Sequence, residues 1–232
     1  MRTGEASGPP YVVEQEDRAP VERASAATLA AEINARRGEA GGRIIAGFAG
    51  PPGSGKSTLA EQVCAELGDR AVLIPLDGWH LSAALTKDIG ASERRGAPHT
   101  FDVAGFLVLL RRIRAQSDFG EGPTIYAPEY RRDLEEPVAG AIAVDVGTPI
   151  VVVEGNYLLL DCPAWRDIHP LLDLSYYVQL DTEERQQRLL RRHVEFGKSS
   201  AEAARWVQTS DERNARLIEQ KLLQPTRFVH AP

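Results

Sequence analysis

Two periods of apolar residues alternate along the chain. Arg43–Ala49 (RIIAGFA), Ala71–Leu76 (AVLIPL), Pro149–Val153 (PIVVV) and Leu174–Leu180 (LSYYVQL) are short, nearly unbroken apolar runs, each followed by a glycine or an acidic residue. Such runs predict strands buried on both faces. Between them the spacing widens to three and four. Val21–Arg37 carries Val21, Ala24, Leu29 and Ile33 along one side and is ended by Gly38 and Gly41–Gly42; Lys56–Leu67 is stopped by Gly68. Asp102–Gln116 sets Val103, Phe106, Leu107, Leu110 and Ile113 on one face and Arg111, Arg112 and Arg114 off it. These predict helices, and two more are expected over about 181–196 and 199–223. Thr124–Arg131 and Ala141–Val146 predict the strands of a hairpin inserted at about 123–147, and Arg227–His230 a short last strand.

Buried strands alternating with helices imply an α/β fold, a parallel sheet covered on both faces. Gly78–His99 has no regular pattern, and a stretch of that length inside a compact domain usually serves a site. Residues 1–20, with Pro9, Pro10 and Pro20 among small polar residues, predict a flexible tail ahead of one domain over 21–232. No internal repeat or low-complexity segment is present in the sequence.

Composition then narrows the class. Of 232 residues 43% are hydrophobic and 26% charged, which fits a globular domain and excludes collagen, coiled coil and a wholly disordered chain. A net charge of −6 gives no broad attraction to nucleic acid or anionic lipid, so neither is an expected partner. No apolar run reaches the ~20 residues of a membrane span; the longest, Ile150–Leu160, is broken by Glu154 and Asn156. The first residues carry no apolar signal core. Cys64 and Cys162 have no metal-ligand spacing and suit reduced thiols. A cytoplasmic protein is therefore expected.

Gly50–Pro51–Pro52–Gly53–Ser54–Gly55–Lys56–Ser57 fits G-x-x-x-x-G-K-[ST], with an apolar strand before it and the helix Lys56–Leu67 after it, whose first turn adds Thr58 to the candidate nucleotide site. Glycines let backbone N–H groups curl around phosphates, and the helix start adds its unpaired N–H groups. Lys56 is placed to reach the β- and γ-phosphates, and the Ser57 hydroxyl to hold Mg²⁺. Ile150–Gly155 is an apolar strand ending in Glu154, a carboxylate suited to ordering the same ion, although apolar strands often end in an acid for no such reason. ATP and Mg²⁺ are the expected cofactors.

A P-loop alone does not separate switch GTPases, motor ATPases and small-molecule kinases. No N-K-x-D guanine-reading tetrapeptide is present. Asp77 stands at the C-terminal end of a strand, where ligands bind in open α/β sheets, and could take a proton from an acceptor hydroxyl; it could equally cap a turn. Asp181–Phe196 carries Arg185, Arg188 and Arg192 at i, i+3 and i+7. Such a stripe can act as a lid over a triphosphate, at about 181–200, or form a solvated face paired with Glu184 and Glu195.

Four segments, DGWH (Asp77–His80), GAPHTFD (Gly96–Asp102), VVVEGNYLLL (Val151–Leu160) and RLLRRHVEFGK (Arg188–Lys198), resemble the uridine kinase, pantothenate kinase and phosphoribulokinase group. Within it the chain looks most like bacterial nucleoside/nucleotide kinase-like proteins, some labelled fructose-transport-associated kinases, from about Arg43 onward. The resemblance implies a three-layer α/β/α P-loop fold with five parallel strands ordered 71–76, 149–153, 43–48, 174–180, 226–230. It also implies that Asp77 is the catalytic aspartate, Glu154 the acidic residue near the metal, and Arg188 and Arg192 the lid. Residues 81–100 and the hairpin would wall the acceptor pocket, making His80, Arg95, His99, Tyr126, Tyr130 and Arg131 candidate contacts. Relatives tend to carry an aspartate after the hairpin aromatic, whereas Tyr130 here is followed by Arg131 and Arg132, which suits an anionic acceptor group.

The expected activity is ATP-dependent transfer of the γ-phosphate to a hydroxyl of a small metabolite such as a nucleoside, a sugar or a pantothenate-like compound. The alternative is a nucleotide-binding regulatory ATPase with no small acceptor. The oligomeric state, including a homodimer, is left open.

Overall fold

Described residues of the computed structural model are 22–116 and 122–230, so the expected tail lies outside them. Their strands are β1 (Glu22–Arg23), β2 (Ile44–Ala49), β3 (Ala71–Pro75), β4 (Ile125–Arg131), β5 (Glu136–Val144), β6 (Ile150–Gly155), β7 (Leu174–Gln179) and β8 (Arg227–His230). Six form one parallel sheet in the order β1-β8-β7-β2-β6-β3, while β4 and β5 pair as an antiparallel hairpin. From β3 to β8 this is the expected five-stranded order. The two residues of β1 extend its edge.

That edge corrects the first helix. The Ser25 hydroxyl accepts from the Thr28 N–H at 3.1 Å and starts α1 (Ala26–Ala40) there, so Glu22 and Arg23 stay extended beside Val229 and His230. Leu29 and Ile33 are fully buried, as their spacing predicted. The remaining helices are α2 (Lys56–Leu67), α3 (Ala83–Asp88), α4 (Val103–Ala115), α5 (Thr182–Glu195), α6 (Ser200–Trp206) and α7 (Glu212–Gln220).

Each central strand divides its residues between two cores. Ile44, Ala46, Phe48, Ile150 and Val152 pack with Leu29 and Ile33 of α1 and Leu59 and Val63 of α2. Ile45, Ala49, Val151 and Val153 pack on the other face with Phe106, Leu110 and Ile113 of α4, Trp165, and Ile218 of α7. Each fully buried Val, Ile, Leu or Phe side chain among them contributes about 1.5–3 kcal/mol. The sheet is rigid for that reason, and its C-terminal edge is where β2, β3 and β6 deliver the P-loop, the Asp77 turn and Glu154.

Two expected elements differ in ways that matter for the site. The helix expected over 199–223 is broken by a π-helical turn at Val207–Asp211, which buries Ser210 and Asp211 against the end of α5. The second hairpin strand starts at Glu136 rather than Ala141, and pairing is irregular between Ala127 and Glu129: Ile142 faces Ala127 but Val138 faces Glu129. β5 therefore carries two extra residues there, one of them Gly140 with φ 70°.

Candidate active site

β2 runs into the P-loop and the P-loop into α2, whose first turn is entered through Gly55 at φ 88°. Gly53, at φ 79°, has a second reason to lack a side chain: a Cβ would stand 2.7 Å from Leu189 Cγ and 3.0 Å from the Arg185 carbonyl oxygen. α5 thus lies directly on the loop. Gly50, Pro51 and Ser54 form its buried back, where the Ser54 N–H donates to the Pro51 carbonyl at 3.2 Å. A cavity of about 180 Å³ separates Lys56, Ser57 and Thr58 from Arg188 and Arg192.

Parallel pairing of β2 with β6 sets Phe48 opposite Glu154 and so brings that carboxylate to the loop. The Ser57 hydroxyl donates to Glu154 Oε2 at 3.1 Å. Burial pushes the Glu154 carboxyl up to about 7, against the pull of Lys56 and with a further push from Asp77. Burial likewise lowers the Lys56 ammonium, which Glu154 and Asp77 partly offset and Arg192 and Arg132 reinforce. A buried ammonium with two guanidiniums near it is suited to polyphosphate charge. The convergent hydroxyl and carboxylate fit the hard-oxygen preference of Mg²⁺. Among the described residues no group of three or more His, Cys, Asp or Glu gathers as a metal cage, so most ligands of such an ion would be phosphate oxygens and water.

Asp77 sits in a 3₁₀ turn, Leu76–Trp79, directly after β3. Its side chain is 44% exposed, facing a second cavity of about 410 Å³. Gly78 fixes the distance to the hairpin, since a Cβ there would stand 2.3 Å from the Pro128 carbonyl oxygen. His80 folds back on the same turn. Its ring Nδ1 lies 2.9 Å from the Asp77 carbonyl and 3.8 Å from the carboxylate, and the ring packs between Phe101 (4.0 Å) and Tyr130 (5.2 Å). Arg95 lies 5.7 Å over the Tyr130 ring and donates to the Glu135 carbonyl at 2.5 Å. Arg192 lines both cavities and so faces the P-loop and Asp77 together.

Three expected contacts are elsewhere. His99 lines a different cavity, with Cys162 and residues of α7. Tyr126 is 60% exposed on the outside of the hairpin. Arg131 is also exposed, held by Asp133 through two hydrogen bonds of 3.0 and 2.9 Å. Tyr130 and Arg132, two apart, line the cavity while Arg131 between them turns out, as strand alternation requires. Tyr126 shares their parity but lies on the other side of the irregularity after Ala127, away from the cavity.

Arg185 also leaves the expected lid stripe. It is fully buried, paired with Glu212, with Nη1 donating to the Pro52 carbonyl at 3.3 Å. It therefore ties α5 to the loop and to α7. Arg188 bonds Glu184 at 2.7 Å on the outer edge of the phosphate cavity. Arg132, noted in the sequence beside Arg131 but not among the candidate contacts, reaches the second cavity, and so do Asn156, His193, Lys198 and Asp211, which were not singled out. Asn156 and Lys198 lie inside the VVVEGNYLLL and RLLRRHVEFGK segments, so their neighbourhood was visible. His193 bonds Asp211 at 2.8 Å only because of the π turn.

This geometry has relatives. The model of the phosphoribulokinase / uridine kinase family matches residues 44–220, from the first residue of β2 to the last of α7. The chain belongs to that family. This kinase is 31% identical over 194 residues to "Putative uridine kinase C227.14" of Schizosaccharomyces pombe, spanning 79% of the present chain and 81% of that protein. It is 36% identical over 126 residues to "ATP-dependent kinase-like protein notR'" of Aspergillus versicolor, over 53% and 73% of the two chains. Among solved structures, a "putative fructose transport system kinase" from Silicibacter sp. TM1040 superposes with a TM-score of 0.79 and 31% identity, covering 90% of this kinase and all of that chain. ATP use goes with the family. Among the described residues no helix is long and apolar enough to cross a membrane.

Proposed function

We propose that this kinase transfers the γ-phosphoryl group of ATP to a hydroxyl of a small metabolite bound in the cavity beside Asp77. The observation that carries the reading is the adjacency of two cavities with Arg192 common to both, one floored by Lys56 and Ser57, the other by Asp77. A regulatory ATPase without an acceptor has no use for the second cavity, and the irregular segment after β3 contributes His80, Ser92 and Arg95 to it.

In this reading the P-loop N–H groups and Lys56 hold the β- and γ-phosphates, and Arg192 faces the phosphoryl group in flight. The acceptor hydroxyl gives its proton to the Asp77 carboxylate while its oxygen bonds to the γ-phosphorus. The bond from that phosphorus to the β,γ-bridging oxygen breaks, and ADP leaves with the electron pair. His80, stacked between Phe101 and Tyr130, restrains the Asp77 turn. Ser57 and Glu154 would hold Mg²⁺, which supplies charge neutralisation to the phosphates when bound.

Asp77→Asn tests the assignment, because asparagine keeps the shape but takes no proton at neutral pH. A loss of about 10²–10⁴ in kcat with ATP affinity retained is expected. Unchanged turnover would overturn the role. Lost ATP affinity only in the presence of Mg²⁺ would move Asp77 to the metal.

A further inference from the structure

The acceptor cavity has a charge that phosphotransfer alone does not require. Arg95, Arg132, Arg192 and Lys198 line it, along with the carboxylates Asp77, Glu135 and Asp211. Several of these are already engaged. Asp211 bonds His193 at 2.8 Å, and Arg95 donates to the Glu135 carbonyl and lies 3.7 Å from Glu136. Arg192 faces the P-loop as well. Arg132 and Lys198 are different. Each lies against an aromatic face, Arg132 5.5 Å from the Phe196 ring and Lys198 5.0 Å from the Trp206 ring. Neither forms a close ion pair among the described residues, although Lys198 is near enough to Glu202 to help lower its carboxyl. Cation–π contact orients a cation without neutralising it.

Two polar atoms of cavity-lining residues also have no hydrogen-bond partner. They are Nε of Arg95 and the side-chain Oδ1 of Asn156, two residues after Glu154, both buried. A buried amide left unpaired costs free energy that a ligand hydroxyl would recover. The far wall, by contrast, is the aromatic stack of His80, Phe101 and Tyr130.

We propose that the acceptor is a hydroxylated small anion, its carboxylate or phosphate held by Arg132 and Lys198 and a hydroxyl held by Asn156, with the reacting hydroxyl at Asp77. This rests on the phosphotransfer reading above and narrows it. Neutral nucleosides and free sugars would leave Arg132 without an ion-pair partner and Lys198 with only the more distant Glu202. Side-chain alternation from Tyr130 onward places Arg132 rather than Arg131 inside, so Arg132 sets the specificity.

The experiment compares ADP release from the full chain with ATP and Mg²⁺ on matched pairs: gluconate against glucitol, pantothenate against its alcohol panthenol, and ribose 5-phosphate against ribose, with uridine beside them. The first two pairs test a carboxylate and the third a phosphate. At least one anion should accelerate release above the acceptor-free rate while its neutral partner does not. In Arg132→Gln the KM for that anion should rise about 10- to 100-fold, as expected for losing a charged hydrogen bond. ATP affinity and melting temperature should hold, and Arg131→Gln should change neither. Acceleration by neutral members or uridine as strong as by any anion, or by no compound in a protein that binds ATP, overturns the proposal. So does an unchanged KM in Arg132→Gln. The phosphotransfer reading fails separately: it falls if Mg²⁺–ATP does not raise the melting temperature, whatever the acceptors do.

Discussion

The two cavities of this kinase, on the proposed reading a phosphate end and an acceptor end, are built on opposite plans. At the phosphate end, Lys56, Ser54 and Glu154 are buried, and their places follow from backbone: two left-handed glycines and the parallel register of β2 with β6. At the acceptor end, Asp77 is 44% exposed, and Arg132 and Lys198 rest on Phe196 and Trp206, side chains carried by the hairpin and by the region following α5. One end is part of the core and the other is a lining attached to it. A core-built phosphate site ties triphosphate handling to folding itself, whereas a lining can change its acceptor by exchanging a few side chains at little cost in stability.

Several measurements would break or sharpen that contrast. The largest effect is expected at the phosphate end, where Lys56→Ala should cost about 10³-fold or more in turnover. Among the described residues Lys56 is the buried cation lining that cavity, while the buried Arg185 is already paired with Glu212. Comparable loss from Arg132→Gln would erase the distinction between the two ends. The lid arginines should fall between. Arg192→Ala, facing both cavities, should lower kcat by about 10²-fold with little change in ATP affinity. Arg188→Ala, whose side chain already bonds Glu184, should lower it several-fold less. Equal effects would return that helix face to a general electrostatic role. The smallest effect is a pH dependence. The folded Glu154 carboxyl lies near 7, above its ordinary value of 4.5, so its neutral form stabilises the free protein at low pH and that contribution is lost as pH rises through 7. Thermal melts between pH 5 and 8 should therefore slope downward. In Glu154→Gln the slope should flatten, and saturating Mg²⁺–ATP should offset it in the parent protein. An identical slope in Glu154→Gln would show that the carboxyl is ionised throughout.

The same contrast governs how much could be read beforehand. The bounds of α2 and β8 and the order of the five long strands follow the apolar pattern and the family resemblance, because the sheet is covered on both faces and little else could satisfy runs such as PIVVV. Arg188 and Arg192 reach the phosphate cavity as their spacing suggests, but Arg185 at the same period is buried, because Glu212 comes within reach of it only in the folded chain. Arg131 and Arg132 could not be told apart, because which side of the hairpin meets the cavity depends on how it docks on the Asp77 turn, a non-local contact. The π turn was hidden likewise, since a helix with one widened turn keeps its composition. Position within a sheet is legible from pattern. Direction in an irregular hairpin is not.

Arg185 has a mechanical consequence. Through Pro52 it holds the P-loop, and through Glu212 it holds the start of α7. Two residues further on, Asn214 accepts from Arg94 at 3.1 Å and donates to the Gly96 carbonyl at 3.4 Å, which also receives the Tyr157 hydroxyl. Gly96 and Asn214 both border the acceptor cavity. A single chain of buried contacts therefore runs from the triphosphate seat to the wall of the acceptor seat. On the phosphotransfer reading, whatever factor ATP applies to acceptor affinity through this tether, the acceptor applies to ATP affinity in return.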